Sequence, residues 1–173
     1  MQQSESGKRP SRVHAVAWFF VVSFFGERKI ITIAQYFGFK SHSVEQEAAA
    51  ADLLDRRDAL RAEYYAATGA EPDIDPDTGT EISGSKGGSG DGGFRLPTAT
   101  TGRTGSAHKD AKAVDDSDQD NSFDDWLNEF EDGNGGNSML KKHGLYREHP
   151  SATQTWTHLT TRSPGSGKRT YLP

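Results

Sequence analysis

The chain contains no cysteine. Disulfides, thiolate metal ligands and a cysteine nucleophile are therefore excluded. Apolar residues are scarce, at 32% of 173, against about 45–50% in ordinary globular domains. That shortage argues against one evenly packed core and predicts a folded part with a poorly packed remainder. Long hydrophobic runs are also scarce. The longest is "VHAVAWFFVVSFF", residues 13 to 25. As a helix it would span about 20 Å, short of the roughly 30 Å hydrocarbon core of a bilayer. Glu27, Arg28 and Lys29 block its extension. No small-residue cleavage pattern follows it, so the chain does not read as secreted. A location inside a cell or within a virion or other assembly is expected.

Signatures of catalysis are missing too. The six histidines (His14, His42, His108, His143, His149 and His158) are scattered without metal-ligand spacing. "DIDPDTGTEI" alternates Asp73, Asp75 and Asp77 as a calcium loop does. It places Thr78 and Gly84 where that loop needs Gly and Glu. "GSGKRT" has Arg162 where a phosphate loop needs its first Gly. The carboxylates sit in runs that read as solvated. These observations predict no catalytic residue, no cofactor and no metal, and hence no enzyme.

Charge is what the chain has, and it is segregated. Residues 1–43 hold six Lys/Arg and two acids. Residues 115–132 hold nine acids and no base, and residues 138–173 six bases and one acid. A basic, acidic, basic order implies charged partners or contact between segments of the same chain.

The expected fold is mainly α. A basic N-terminus (1–11) leads into a helical head (12–69). A Gly/Ser/Asp-rich linker (70–114) follows, then an acidic amphipathic helix (115–133) and a basic aromatic arm (134–173). In the head, residues 12–25 form either a first helix or the first strand of a hairpin over 13–39. Ile30, Ile33, Ala34 and Phe37 recur at helical spacing and Gly38 stops that helix. Phe39 and Val44 are expected in the core, with Ser41 or Ser43 capping the next helix. That helix, 44–69, is rich in Ala, Leu, Glu and Arg and ends at Gly69. Asp55, Arg56, Arg57 and Asp58 on it read as solvated charges.

"ITIAQYFGFKSHSVEQ" (31–46), with the run before it, resembles the helix-turn-helix motif. Residues 12–54 are similar to transposase-type and phage small-terminase DNA-binding domains. The resemblance implies DNA contact by Arg28, Lys29, Lys40, Ser41, His42, Ser43 and Gln46. Glu45 and Glu47 stand on the same helix as departures from that pattern.

Beyond the head, Phe94 with Leu96 forms an apolar plug. Phe123, Trp126, Leu127 and Phe130 form an aromatic face at i, i+3, i+4, i+7, capped by Ser122 and ended by Gly133. They fit a docking helix for a partner's groove, or a cover for the chain's own apolar surface. Lys141, Lys142, Tyr146, Arg147, Trp156, Lys168, Arg169 and Tyr171 form a basic aromatic arm, suited to phosphates and bases or to threading between subunits. The functional expectation is a non-enzymatic assembly protein, in style a virion or phage component, whose tail orders against other subunits of an oligomer. The alternatives are a DNA-binding adaptor and a membrane-associated protein anchored by residues 13–25.

Overall fold

The computed structural model describes residues 31–83, 92–100 and 103–173. The expected first helix or hairpin strand, the apolar run 13–25, Arg28 and Lys29 lie outside these residues. Among the described residues no helix is long and apolar enough to cross a membrane.

The expectation of a mainly α chain with an extended tail is overturned by a four-stranded mixed sheet built from the tail itself. Its strands are β1 (Ala113–Ser117), β2 (Tyr146–Glu148), β3 (Trp156–Thr160) and β4 (Thr170–Tyr171), in the order β1-β3-β2-β4. β3 runs antiparallel to β1 and β2, and β4 lies parallel to β2. The helices are α1 (Ile33–Phe37), α2 (Val44–Thr68), α3 (Ser122–Asn128) and α4 (Ser138–His143).

The corner between α1 and α2 forms as its residues dictate. Thr32 with Gln35, and Ser43 with Gln46, make capping boxes. Gly38 and Gly69 close the two helices at positive φ. The expected packing of that corner is corrected in detail. Phe39 and Val44 are exposed rather than buried, and Ala34 faces solvent. The His42 ring, itself exposed, stacks on Phe37 at 3.6 Å between centroids.

Side chains alternate across the sheet with period two. One face carries Val114, Asp116, Leu159 and Arg147. It packs on α2 and α3, through Leu53, Leu60, Tyr64, Phe123 and Leu127. Phe123, Trp126 and Leu127 are thus core residues of this chain rather than a docking face, and Phe130 packs edge-on against Trp126. Phe94, foreseen as a plug for a partner, is buried against Phe37. The α3 N-terminus is held by Asp118, not Ser122. Its carboxylate accepts from the Phe123 and Asp124 amides at 3.0 and 2.9 Å.

Three arginines in or near this core carry its charge. Arg57, read from sequence as solvated, is 2% exposed and lies 2.9 Å from Asp116, 2.5 Å from Glu81 and 2.7 Å from Asp58. Burial would lower its pKa, but these carboxylates outweigh burial and raise it. Arg61 lies over the Phe123 ring at 4.4 Å. Arg147, foreseen on a phosphate-tracking arm, is fully buried. It donates to Asp124 at 2.6 Å and to Glu131 at 2.8 Å. Burial pushes the Asp124 carboxyl up to about 6, against the pull of Arg147.

Removing Arg57 would take from buried Glu81 its arginine and leave buried Asp116 with only the more distant Arg61 at 3.9 Å. Arg57→Ala is expected to lower the unfolding free energy by roughly 3–5 kcal/mol, read by urea denaturation at neutral pH.

Candidate metal centre

The other face of the sheet carries Asp115, His158, Glu148 and Tyr171, and it opens into a cleft of about 520 Å³. Arg95, Arg103, His108, Trp156 and Arg162 complete its main walls. Three elements bring ligand-type atoms together there. The 3-10 turn Ala107–Asp110 presents His108, β1 presents Asp115 and β3 presents His158. Between turn and strand, Ala111 adopts φ 55 with its methyl fully buried. That left-handed step reverses the chain within three residues of His108 and is costly for any residue but Gly. β1 and β3 pair Asp115 directly with His158.

The three atoms form a nearly regular triangle. His158 Nδ1 lies 2.7 Å from Asp115 Oδ1 and 3.3 Å from His108 Nε2. His108 Nε2 lies 3.2 Å from Asp115 Oδ1. Ligands at zinc distance in a tetrahedron stand about 3.3 Å apart; two edges match, while the third, 2.7 Å, is a hydrogen-bond length that an ion would have to open. All three residues are buried.

Surrounding groups orient the set. His108 Nδ1 lies 2.7 Å from the Gly93 carbonyl. A carbonyl only accepts, so Nδ1 donates there, and in the neutral ring Nε2 presents its lone pair inward. Arg95 lies 3.3 Å from the outer oxygen of Asp115, leaving Oδ1 to face the histidines. Burial alone would raise the Asp115 pKa. His108 and His158 outweigh it and hold the carboxyl well below the usual range. Burial likewise disfavours charged His158, and its bond to Asp115 overcomes that and raises its pKa. The set attracts positive charge, as a proton or as a metal ion.

The residues foreseen as DNA contacts are placed elsewhere. Ser41, His42 and Ser43 are exposed at the α1–α2 corner, and Lys40 is half-buried. Gln46 is used in its capping box and in donating to the Lys109 carbonyl at 3.1 Å. Of the foreseen basic arm, Trp156 and Tyr171 line the cleft. Lys142 pairs with Glu63 and Arg169 lies over the Tyr146 ring. Lys141 and Lys168 are exposed. His108 and His158, read from sequence as scattered, converge with Asp115 into a group that could hold a metal ion. The ligands are separated by six and forty-two residues, so short-range spacing carries no signal. The usable clue was the apolar flanking of Asp115 and His158, by Ala113-Val114 and by Leu159.

Comparison of the chain with protein-family models, curated proteins and solved structures finds no match.

Gly93 supplies the carbonyl that orients His108 because its backbone lies against Tyr36. A Cβ there would stand 2.4 Å from the Tyr36 carbonyl oxygen. Gly93→Ala is expected to cost about 1–3 kcal/mol of stability and to displace the His108 ring, read by thermal unfolding together with the His108 NMR resonances.

Proposed function

We propose that the protein is a mononuclear metal-dependent hydrolase, with Zn²⁺ held by His108, Asp115 and His158. The observation that carries this reading is the convergence of three buried ligand-type atoms, 2.7 to 3.3 Å apart, beside an open cleft. Three protein ligands with an open fourth position mark catalytic rather than structural zinc. Nitrogen and carboxylate donors without thiolate suit zinc among the common metals. The ion would supply a Lewis acid and make water nucleophilic near neutral pH.

A single His₂-carboxylate centre is the composition of zinc sites that hydrolyse peptide bonds, whereas phosphodiester chemistry favours paired metals. The cleft adds selection. Arg103 and Arg162 stand at its mouth and Trp156 is half-buried on its wall. Together with a dication they outweigh Asp115 and Glu148 and favour an anionic substrate. A peptide with a carboxylate near its scissile amide meets both requirements, since guanidinium groups pair with carboxylates in two-point geometry. Arg95 both steadies Asp115 and faces the cleft. This reading differs from the non-enzymatic assembly role expected from composition and rests on the His108, Asp115 and His158 group.

The full chain is expected to bind one Zn²⁺ per molecule in competition with a chelating dye. His158→Ala and Asp115→Ala should lose that binding. With Zn²⁺, a library of carboxylate-bearing peptides followed by mass spectrometry should show cleavage that chelator stops and Zn²⁺ restores. Stoichiometric Zn²⁺ binding unchanged in both variants would end the proposal.

A further inference from the structure

Two of the three ligand side chains have an outer partner within hydrogen-bonding distance. His108 has the Gly93 carbonyl at 2.7 Å and Asp115 has Arg95 at 3.3 Å. His158 is the third. Its Nδ1 faces Asp115 and His108, so its Nε2 points the other way along the sheet. There it meets Glu148, whose Oε1 lies 4.0 Å away.

That meeting follows from strand register. β1 pairs Asp115 with His158. β2 pairs Arg147 with Leu159, so the next residue, Glu148, stands opposite His158. β4 pairs Tyr171 with Glu148. Asp115, His158, Glu148 and Tyr171 therefore form one row across four strands, on one face, and all four line the cleft. Neighbours in such a row have Cβ atoms about 4.5–5.5 Å apart, within reach of a glutamate side chain. Arg147 beside Glu148 is anchored in the core by Asp124 and Glu131, which fixes the strand and points Glu148 to the cleft.

Glu148 has no competing engagement. Among the described residues its carboxylate has no hydrogen bond, and His158 is its sole ion-pair partner. Among the described residues it is also the cleft's single carboxylate side chain besides Asp115. At 4.0 Å the contact is too long for a hydrogen bond, and a change of Glu side-chain torsion closes it.

We propose that Glu148 is the positioning residue of the third ligand: it accepts the His158 Nε2–H, fixing the tautomer whose Nδ1 lone pair faces the metal. A metal-bound histidine commonly gives its second ring N–H to a carboxylate or carbonyl, and losing that partner weakens metal binding by about 10–100-fold. Glu148 completes the pattern already made by Gly93 and Arg95. It acts through His158 and does not ligate. The inference rests on the metal-site reading above.

The test uses the full chain with Zn²⁺ as the probe, comparing wild type, Glu148→Ala, Glu148→Gln and His158→Ala. Glu148→Ala is expected to weaken Zn²⁺ binding by about 10–100-fold. Glu148→Gln should keep most of the affinity, because an amide oxygen still accepts the ring N–H. Nitrogen-15 NMR of zinc-loaded wild type should show His158 protonated at Nε2. Thermal unfolding without metal should leave both Glu148 variants close to wild type, separating positioning from folding. Wild-type affinity in Glu148→Ala, with binding lost in His158→Ala, would overturn the role of Glu148 and leave the metal site standing. Equal losses in Ala and Gln would also overturn it, since the carboxylate would then act as a ligand or a charge. Failure of wild type itself to bind Zn²⁺ would remove the metal reading and this inference together.

Discussion

Asp116 has no exposed surface, and its carboxylate lies 2.9 Å from the buried guanidinium of Arg57. That pair ties the middle of β1 to the middle of α2, and much of the structure follows from it. A buried ion pair of this kind adds little stability over a well-packed apolar pair. Its strength is directional. Asp116 is held toward α2, and strand alternation then sends Asp115 to the opposite face. A one-residue slip of β1 would place Asp115 against Arg57 and point Asp116 into the cleft. It would also take Val114 out of the core. The helix-side charge pair and the cleft-side triad are therefore two outcomes of one register.

The same logic runs through the neighbouring strand. Arg147 on β2 is locked under α3 by Asp124 and Glu131, so Glu148 must face the cleft. Leu159 on β3 enters the core, so His158 cannot. Each cleft residue of β1, β2 and β3 is preceded or followed by a residue with a strong reason to be buried on the other side. The centre is thus built on rigid strands, with one loop-borne member, His108. That member is held at its own ring nitrogen by Gly93 and steered by the left-handed backbone of Ala111. A site assembled this way holds its geometry without needing a ligand to organise it.

The local signals in the sequence were legible where they were short-range. Gly38, Ser43 and Gly69 punctuate α1 and α2 at their observed ends, because capping and left-handed turns are decided by a few adjacent residues. The sheet was not legible, since "AVDDS" and "WTHLT" carry little apolar weight and a three-residue strand such as "YRE" has none of the usual alternation. Aspartate is depleted in strands in general. Here the depletion is overridden by partners that lie far away in sequence: Arg57 is fifty-nine positions from Asp116, and His158 forty-three from Asp115. The triad was hidden for the same reason. Its spacing becomes meaningful only after β1 and β3 are paired.

The segregation of charge acquires a physical cause from these contacts. The acidic block after Ala113 reads as a solvated run, yet Asp115, Asp116, Asp118 and Asp124 are all buried. Each has a donor set of its own. Asp115 has the histidines and Arg95, Asp116 has Arg57, Asp118 has two α3 amides, and Asp124 has Arg147. The bases that answer the block come from α2, Arg95 and His108 before it and from β2 and β3 after it. Of the two readings open for a basic, acidic, basic order, contact within the chain accounts for these four aspartates. It also accounts for how a chain with so few apolar residues closes a core. Charged groups occupy interior positions that apolar side chains would otherwise fill, and they are tolerated there because each is matched. The triad follows the same rule: His158 Nδ1 faces both the Asp115 carboxylate at 2.7 Å and His108 Nε2 at 3.3 Å, and Arg95 answers the other Asp115 oxygen. What sets the triad apart from the other matched aspartates is its place: two imidazoles and a carboxylate meet beside an open cleft, and that geometry is the basis of the proposed metal site.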